Sequence, residues 1–418
     1  MSQIKLIKSL LKVLESNSII SSLTRSSLFF DEPQMYEFTA KVQFVKKFSN
    51  GLSYNSLSAT GTSFFSTGDA LLRCLGEAAE RFCLITYKNS SVKFFSYEQR
   101  KADAVDPYFF TGKKETRKCV LGWVESQNLI SNSKWFVPAQ LVYLNFHQTD
   151  KEPFLSTRIS TGAAGGSDKE SAITRGIYEI VERDAYMTNY LNKISSSLFN
   201  LSIVKSGSIK LLLEILRRYK LEWFAFDTTN DLCILSVMSI VVDRTGIGPA
   251  VSVGIKSGDH LVSILIASLS EALMVRSNIR TQMGKMQYFA PQRKFEVKSI
   301  VDRGLYWSPL SMISKLNFLL KQRPKAYQKK RSGLHQKRQL HFLKTQLEKK
   351  NHPIYAVDIT APVLKKVHYY VYKILIPSLH PVYLHETRKE FRLNRLREVA
   401  EYFGEKNFVI NHIPHPFL

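Results

Sequence analysis

Residues 36–49, YEFTAKVQFVKKFS, alternate apolar and polar side chains and read as a strand, because successive strand residues face opposite sides. A different period follows. Leu71, Leu72, Leu75, Ala78, Ala79 and Phe82 recur at three- and four-residue spacing, which predicts a helix over 68–88 with a broad apolar face. Residues 135–146, WFVPAQLVYLNF, read as strand, and Ser167–Asp168 can cap a second helix that runs to about Leu191. Residues 208–218 are helical again. LCILSVMSIVVD (232–243) and PAVSVGIK (249–256) can pair as strands, and a third helix is expected over about 259–284. IYAVDIT (354–360) and YYVYKILIP (369–377) are β-rich. The N-terminus, MSQIKLIKSLLKVLESNSII, sets Lys5, Lys8 and Lys12 into an apolar pattern, so it reads as an amphipathic helix and not as the unbroken apolar core of a secretory signal. The sum is an α/β (α+β) chain with mixed sheets: an N-terminal extension over 1–35 and one main domain over 36–418.

Composition narrows this. At 418 residues and 44% hydrophobic, the chain can bury one large core or two ordinary ones. No run of 18 apolar residues occurs, so no membrane span and no membrane partner are expected. Cys74, Cys83, Cys119 and Cys233 show neither CxxC nor zinc spacing and fit reduced thiols in a cytoplasmic protein. The net charge of +24 is concentrated: residues 315–350 hold twelve Lys or Arg and one acid, Glu348. That stretch carries no recognised nucleic-acid motif and reads as a solvated basic insertion, with an acidic partner or nucleic acid as the other reading.

The candidate chemistry lies in two matched segments. GEAAER (76–81) supplies Glu77, Glu80 and Arg81; YEIVER (178–183) supplies Glu179, Glu182 and Arg183. Ala70 and Ala172 each stand seven residues before the first glutamate, and SATGTS (58–63) and STGAAGGS (160–167) precede the two helices. The third helix keeps Glu271 and Arg276 but has Met274 in the second acidic place, behind Gly254 and Ser257–Gly258. The chain therefore reads as a weak threefold repeat of strand, small-residue loop and acidic helix, with the third copy degenerate. Carboxylates three residues apart share a helix face and repel unless a cation lies between them. One such segment would be a solvated, salt-bridged face. Two supply four carboxylates, which suit Mg2+, an ion that takes oxygen ligands and shares them with phosphate. The arginines and the amides at the helix starts suit phosphate oxygens. The implied nucleotide site is not a P-loop, since Ile255 separates the second glycine of GPAVSVGIKS (248–257) from Lys256. TGAAGG is not GxGxxG, and no HRD or DFG is present.

ATGTSFFSTGDALLRCLGEAAERFCL and STGAAGGSDKESAITRGIYEIVERDAYMTNYL resemble the two signature blocks of the YcaO family. ASLSEALMVR resembles its third block, YAVDIT and ILIPSLHPVYL its C-terminal strands, and PHPFL its tail, so the likeness runs in order over about 36–418. It implies a YcaO-like catalytic domain, interrupted by the basic insertion at about 315–350, that activates a peptide backbone amide with ATP and Mg2+. Glu77, Glu80, Glu179 and Glu182 would hold the metal around the triphosphate, with Arg81, Arg183 and Arg276 near the phosphates and the Ala164–Ser167 loop against the nucleotide. Three positions depart from the family pattern. Ser171, beside Glu170, stands where a further metal-binding glutamate is usual; GTSF (61–64) replaces a Gly-Lys-Gly; and the PxPxP tail is Pro414-His415-Pro416-Phe417-Leu418.

In the implied reaction a nucleophile adds to a peptide carbonyl and the oxygen takes the γ-phosphoryl group of ATP. Phosphate then leaves where amide oxygen could not. The protein contributes positioning and charge neutralisation. A Cys, Ser or Thr nucleophile gives a thiazoline or oxazoline, the cyclodehydratase reaction of ribosomal peptides; external sulfide gives a thioamide. Partial retention of PxPxP leans towards azolines, with Pro414 and Pro416 restricting the tail and the Leu418 carboxylate as a base near the site. A leader-peptide-binding or sulfur-delivery partner protein is expected, a homodimer is compatible with the sequence, and nucleic acid is not the expected ligand. The reading from another class is a non-catalytic polyanion-binding protein on the same fold.

Overall fold

The computed structural model describes residues 2–26, 29–48, 51–86, 91–149, 151–285, 296–325, 336–405 and 409–418. Its elements in chain order are α1 (Gln3–Ser16), β1 (Ile20–Arg25), β2 (Tyr36–Phe48), β3 (Gly51–Ser63), α2 (Thr67–Ile85), β4 (Lys93–Ser96), α3 (Tyr108–Thr111), β5 (Val120–Asn128), β6 (Lys134–Pro138), β7 (Ala163–Gly166), α4 (Lys169–Leu191), β8 (Ser197–Leu198), α5 (Gly207–Arg218), β9 (Leu221–Asp227), β10 (Ser236–Asp243), β11 (Val251–Ser257), α6 (Leu261–Lys285), α7 (Ile300–Tyr306), α8 (Asn317–Leu320), α9 (Gln336–Lys349), β12 (Tyr355–Asp358), α10 (Pro362–Lys365), β13 (Tyr370–Leu375) and α11 (Leu393–Tyr402). They fall into two compact units. The first comprises Met1–Ser27, Tyr36–Ile180 and His335–Ser378; the second comprises Leu28–Met35, Val181–Leu334 and Leu379–Leu418.

In the first unit, β1, β2 and β3 form one antiparallel sheet, and β4-β5-β12-β13-β7, with β6 beside β5, form another. Helix α2 lies on β2 and β3 and buries Ala70, Cys74, Leu75, Ala78 and Ala79. The contact is close because the strand offers no side chain at Gly61, where a Cβ would sit 2.2 Å from the Ala70 carbonyl oxygen. The expected amphipathic helix is α1, and it is part of this core: Leu10 and Leu14 are fully buried, and α1 packs on α2.

In the second unit, β11-β10-β9-β8 form an antiparallel sheet whose β10 is buried along its whole length. Helix α5 packs on β9, and α6 packs on β10 and β11. By length and composition α6 could cross a membrane, with a mean hydropathy of 1.3 over Leu261–Gly284. Its Leu265, Leu269 and Ala272 are instead core of this unit.

The structure departs from the sequence pattern in definite places. The run over 135–146 is strand only to Pro138, after which Ala139–Leu141 turn as a 3-10 helix; proline has no N–H to continue a ladder. The small-residue stretches before the acidic helices are strand ends and not only loops: Thr60–Ser63 belong to β3, and Ala163–Gly166 are β7. Of the expected basic insertion, residues 326–335 lie outside the described residues, while 336–349 form α9, whose Leu343 and Leu347 are fully buried.

Candidate active site

In the first unit, α2 and α4 carry three acids to the strand ends. Glu77 Oε2 accepts the Thr60 N–H of β3 at 2.6 Å, and its Oε1 accepts from Arg81 Nε at 3.0 Å and Nη2 at 2.6 Å. Glu80 Oε1 accepts the Gly165 N–H of β7 at 2.6 Å, and Glu179 Oε2 accepts the Gly162 N–H at 3.0 Å. Burial pushes the Glu80 carboxyl up to about 8; the Gly165 hydrogen bond works against the rise, the neighbouring Glu179 and Glu77 charges add to it, and Arg175 opposes it. Ala164 is buried in β7 opposite Tyr372. Ser167 and Glu170 are exposed at the start of α4. Ser171 belongs to the cap there: its N–H donates to Asp168 Oδ1 at 2.8 Å and its hydroxyl to the Asp168 carbonyl at 2.9 Å.

The rest of α4 and α6 do the same in the second unit. Glu182 is buried; its Oε2 accepts the Ser257 N–H of β11 at 3.0 Å and lies 3.4 Å from Lys256 Nζ, and its Oε1 lies 3.2 Å from Arg183 Nη1. Glu271 Oε2 accepts the Ile255 N–H at 2.8 Å. Burial raises the Glu271 carboxyl to about 7; Glu182 adds to the rise, while Arg183 and Lys256 oppose it. The third helix thus keeps its first acid in the same place against its strand, as the sequence pattern of Glu271 indicated.

Arg276 sits elsewhere. It is buried with its Nε on Glu32 at 2.8 Å, its Nη2 on Asp243 at 2.8 Å and its Nη1 on the Pro249 carbonyl at 3.1 Å. In this structure its guanidinium N–H groups meet the second unit's own acceptors. Pro414, Pro416 and Leu418 belong to an ordered segment. Trp307 Nε1 donates to the Pro414 carbonyl at 2.9 Å, Arg303 Nη1 to the His415 carbonyl at 2.9 Å, and the Phe417 N–H donates to Tyr186 Oη at 3.2 Å.

Other residues went unread in the sequence. Lys373 of β13 is 1% exposed, and its ammonium donates to the carbonyls of Ile159 at 2.9 Å and Thr161 at 2.6 Å, beside the Gly162 that holds Glu179. Burial lowers it to about 8. A lone lysine inside the β-rich run YYVYKILIP was the available signal, since lysine is rarely buried without partners. Asp184, two residues after Glu182, receives Arg395 Nη2 at 2.7 Å and the His380 N–H at 2.8 Å, and Arg395 also reaches Asp231 at 2.7 Å. Nothing local in the sequence links these three.

Residues 65–380, well over half the chain, match the family model described as a YcaO cyclodehydratase that binds ATP and Mg2+. The chain belongs to the YcaO family. ATP and Mg2+ are the cofactors that this family's description names. Among solved structures, a heterocyclase in complex with substrate and cofactor is similar at 17% identity and a TM-score of 0.77, over 98% of this chain and 57% of the other. The YcaO of Methanopyrus kandleri bound with AMPPCP and Mg2+ is similar at 13% identity and a TM-score of 0.67, over 94% of both chains. The E. coli microcin synthetase McbBCD complex is similar at 16% identity and a TM-score of 0.61, over 85% of this chain and 91% of the other. At such identities the likeness is one of fold. An uncharacterized protein of Methanothermobacter thermautotrophicus is 26% identical over 188 residues, 44% of this chain. This YcaO chain spans 48% of that relative's length and 29% of a Rhizobium leguminosarum relative that is 25% identical over 29% of this chain.

The acids fit such cofactors. Glu80 is a carboxyl raised mainly by burial, with Glu179 and Glu77 adding to the rise; a divalent cation would offset both the buried charge and the repulsion. The donors are all oxygen, as Mg2+ requires. Among the described residues no group of three or more His, Cys, Asp or Glu stands ready to enclose a metal. Mg2+ is ordinarily held by one or two carboxylates together with substrate phosphates, so a closed protein cage is not what this ion needs.

Proposed function

We propose that this YcaO enzyme activates a backbone amide of a ribosomal peptide by O-phosphorylation and closes a Cys, Ser or Thr side chain onto it, giving an azoline with release of ADP and phosphate. The observation that carries this is Glu80: a carboxyl held by a β7 amide and raised by burial and, less, by the nearby Glu179 and Glu77, in a chain of the YcaO family. The fold likeness to a heterocyclase and to the microcin synthetase complex supports azolines over thioamides, and the second of these supports a partner protein that presents the peptide.

Glu77, Glu80, Glu179 and Glu182 hold Mg2+ in this reading; Arg81 and Arg183 serve the phosphates, and Ala164 and Ser167 border the nucleotide. Bound ATP and Mg2+ supply the phosphoryl group and the neutralisation of its charge. The chain's own part begins with the strands. The amides of Thr60, Gly162, Gly165 and Ser257 each fix one oxygen of Glu77, Glu179, Glu80 and Glu182 and so orient these carboxylates, while the second oxygen of Glu77 is held by Arg81 and that of Glu182 lies beside Arg183. The same hydrogen bonds support the threefold repeat. Glu77, Glu179 and Glu271 accept amides 17, 17 and 16 residues upstream, while Glu80 and Glu182 accept amides 85 and 75 residues downstream, in the next strand-and-helix copy.

The purified chain, with a candidate peptide-presenting partner protein and a Cys/Ser-rich peptide, should release phosphate only with Mg2+ and ATP, and the peptide should lose one water for each turnover. Glu179→Gln should abolish both. Replacement of oxygen by sulfur in the peptide would make the product a thioamide, and absence of any Mg2+-dependent turnover would favour the polyanion-binding reading.

A further inference from the structure

Among the described residues Lys373 is the only buried lysine, and its ammonium goes to main chain in the first unit. It donates to the Ile159 carbonyl at 2.9 Å and to the Thr161 carbonyl at 2.6 Å. The second carbonyl belongs to the peptide unit whose other end is the Gly162 N–H, and that N–H donates to Glu179 Oε2 at 3.0 Å. Ammonium, peptide and carboxylate therefore stand in series. The next residue of β13 holds the same turn from its other side, where the Ile374 N–H donates to the Gly162 carbonyl at 2.7 Å. Gly162 has a φ of +84°, and a Cβ there would lie 2.4 Å from the Ile374 carbonyl oxygen, so any side chain would push β13 away. The first copy of the repeat is backed more weakly. The peptide that meets Glu77 has its carbonyl at Ala59, and the donor there is the Cys74 thiol at 3.4 Å.

We infer that Lys373 is a positioning residue for Glu179, acting through the Thr161–Gly162 peptide; its bearing on Mg2+ rests on the reading that Glu179 holds that ion. A donor on the carbonyl polarises the peptide and strengthens the N–H at its far end, and in a protein interior such chains of hydrogen bonds reinforce one another. A charged donor does this more strongly than a neutral one. Burying an ammonium is costly, and packing alone would be served as well by an apolar residue of similar size. Burial disfavours the Lys373 charge, and the Glu179 carboxylate favours it. The two groups thus support each other across one peptide.

The test begins without ligand. In the full-length protein, Lys373→Met keeps the length and apolar stem of the side chain and removes its donors. Hydrogen exchange of the Gly162 amide should quicken on the order of ten-fold, the worth of one hydrogen bond to a charged group, while the amides of β9 and β10 keep the parent rate. Calorimetry with Mg2+ and a non-hydrolysable ATP analogue should then show affinity weakened on the order of ten-fold, the low end for a residue that orients a metal ligand. Where Lys373→Met does not fold, Lys373→Gln, which keeps N–H donors and drops the charge, carries both measurements with the same expected direction. A purely structural lysine would weaken binding whatever stands at position 179, whereas an effect routed through Glu179 vanishes without it. Lys373→Met should therefore add nothing in a Glu179→Gln background. A Gly162 amide that exchanges at the parent rate, or an equal further loss of affinity in that background, would overturn the positioning. A Gly162 amide that quickens as expected, in a protein whose parent binds no Mg2+ with the analogue, would support the positioning and overturn the Mg2+ reading.

Discussion

A carboxyl that is acidic in the peptide and nearly neutral in the fold is a cost the folded chain carries until something cancels it. Glu80 has an ordinary value of 4.5 and a folded value of about 8. The folded state therefore keeps a proton that the unfolded chain has already released between those values. Its contribution is fully present below pH 4.5 and is lost as the pH rises towards 8, by up to ~1.4 kcal/mol per pH unit. Glutamine keeps an oxygen for the Gly165 N–H and has no charge to bury. Without Mg2+ or nucleotide, Glu80→Gln should resist urea better than the parent at pH 8, and the advantage should shrink at pH 5. A gap independent of pH would mean that Glu80 is not the destabilised group. If Glu80 holds Mg2+ at the phosphates as proposed, the same variant should lose on the order of 100-fold or more in ATP turnover, because a preorganised charge is gone.

Elements show which parts of the molecule a sequence can disclose. Helices α2, α4 and α6 were legible because an apolar stripe at period 3.6 survives whatever else the residues do, and β10 and β11 were legible as apolar runs. The acidic pairs were legible because two matched copies are harder to explain than one. β4, β5 and β7 were not. Two of β7's four residues are glycines, and its strand character comes from pairing with β13 and not from propensity. Lys373 and the Asp184–Arg395–Asp231 network were illegible for the same reason: their partners are set by tertiary packing across long sequence separations. The glycines also have an element-level meaning. A Cβ at Gly76 of α2 would stand 2.8 Å from Tyr369 Oη and no closer than 4.0 Å to the next atom. Gly76→Ala should therefore destabilise the protein by about 1–2 kcal/mol through overpacking. In a Tyr369→Phe background the obstructing oxygen is gone, and the better helix propensity of alanine should make the same change neutral or favourable. Thermal or urea unfolding of the four proteins reads this directly; an undiminished cost in the Phe background would place the strain elsewhere.

At the scale of the whole molecule, the +24 charge is more exposed than composition suggests. Glu32, Glu37, Glu152, Glu182, Asp184, Asp231 and Asp243 are buried, and among basic side chains only Arg276, Arg303, Arg395 and Lys373 are buried among the described residues. The solvent thus meets proportionally fewer acids than the sequence contains. Part of the excess lies on α9, and this helix separates two roles that composition merges. Leu343 and Leu347 are fully buried in the first unit, while Arg338, Lys349 and Lys350 are exposed. Deleting the helix would open a core, so deletion cannot report on its charge. Replacing Arg338, Lys349 and Lys350 together by glutamine removes three charges that solvent already screens, and it should change stability by no more than about 0.5 kcal/mol. Leu347→Ala should cost about 2–5 kcal/mol. If the basic face only solvates the chain, the triple variant should keep Mg2+-dependent ATP turnover within about three-fold, and it should elute from a polyanionic column at lower salt than the parent, because fewer counterions are released on binding. A triple variant that folds normally yet loses turnover ten-fold or more would tie α9 to catalysis. The same protein with normal turnover on ATP alone, but no modification of its peptide, would make the basic face a site for presenting an acidic substrate or partner.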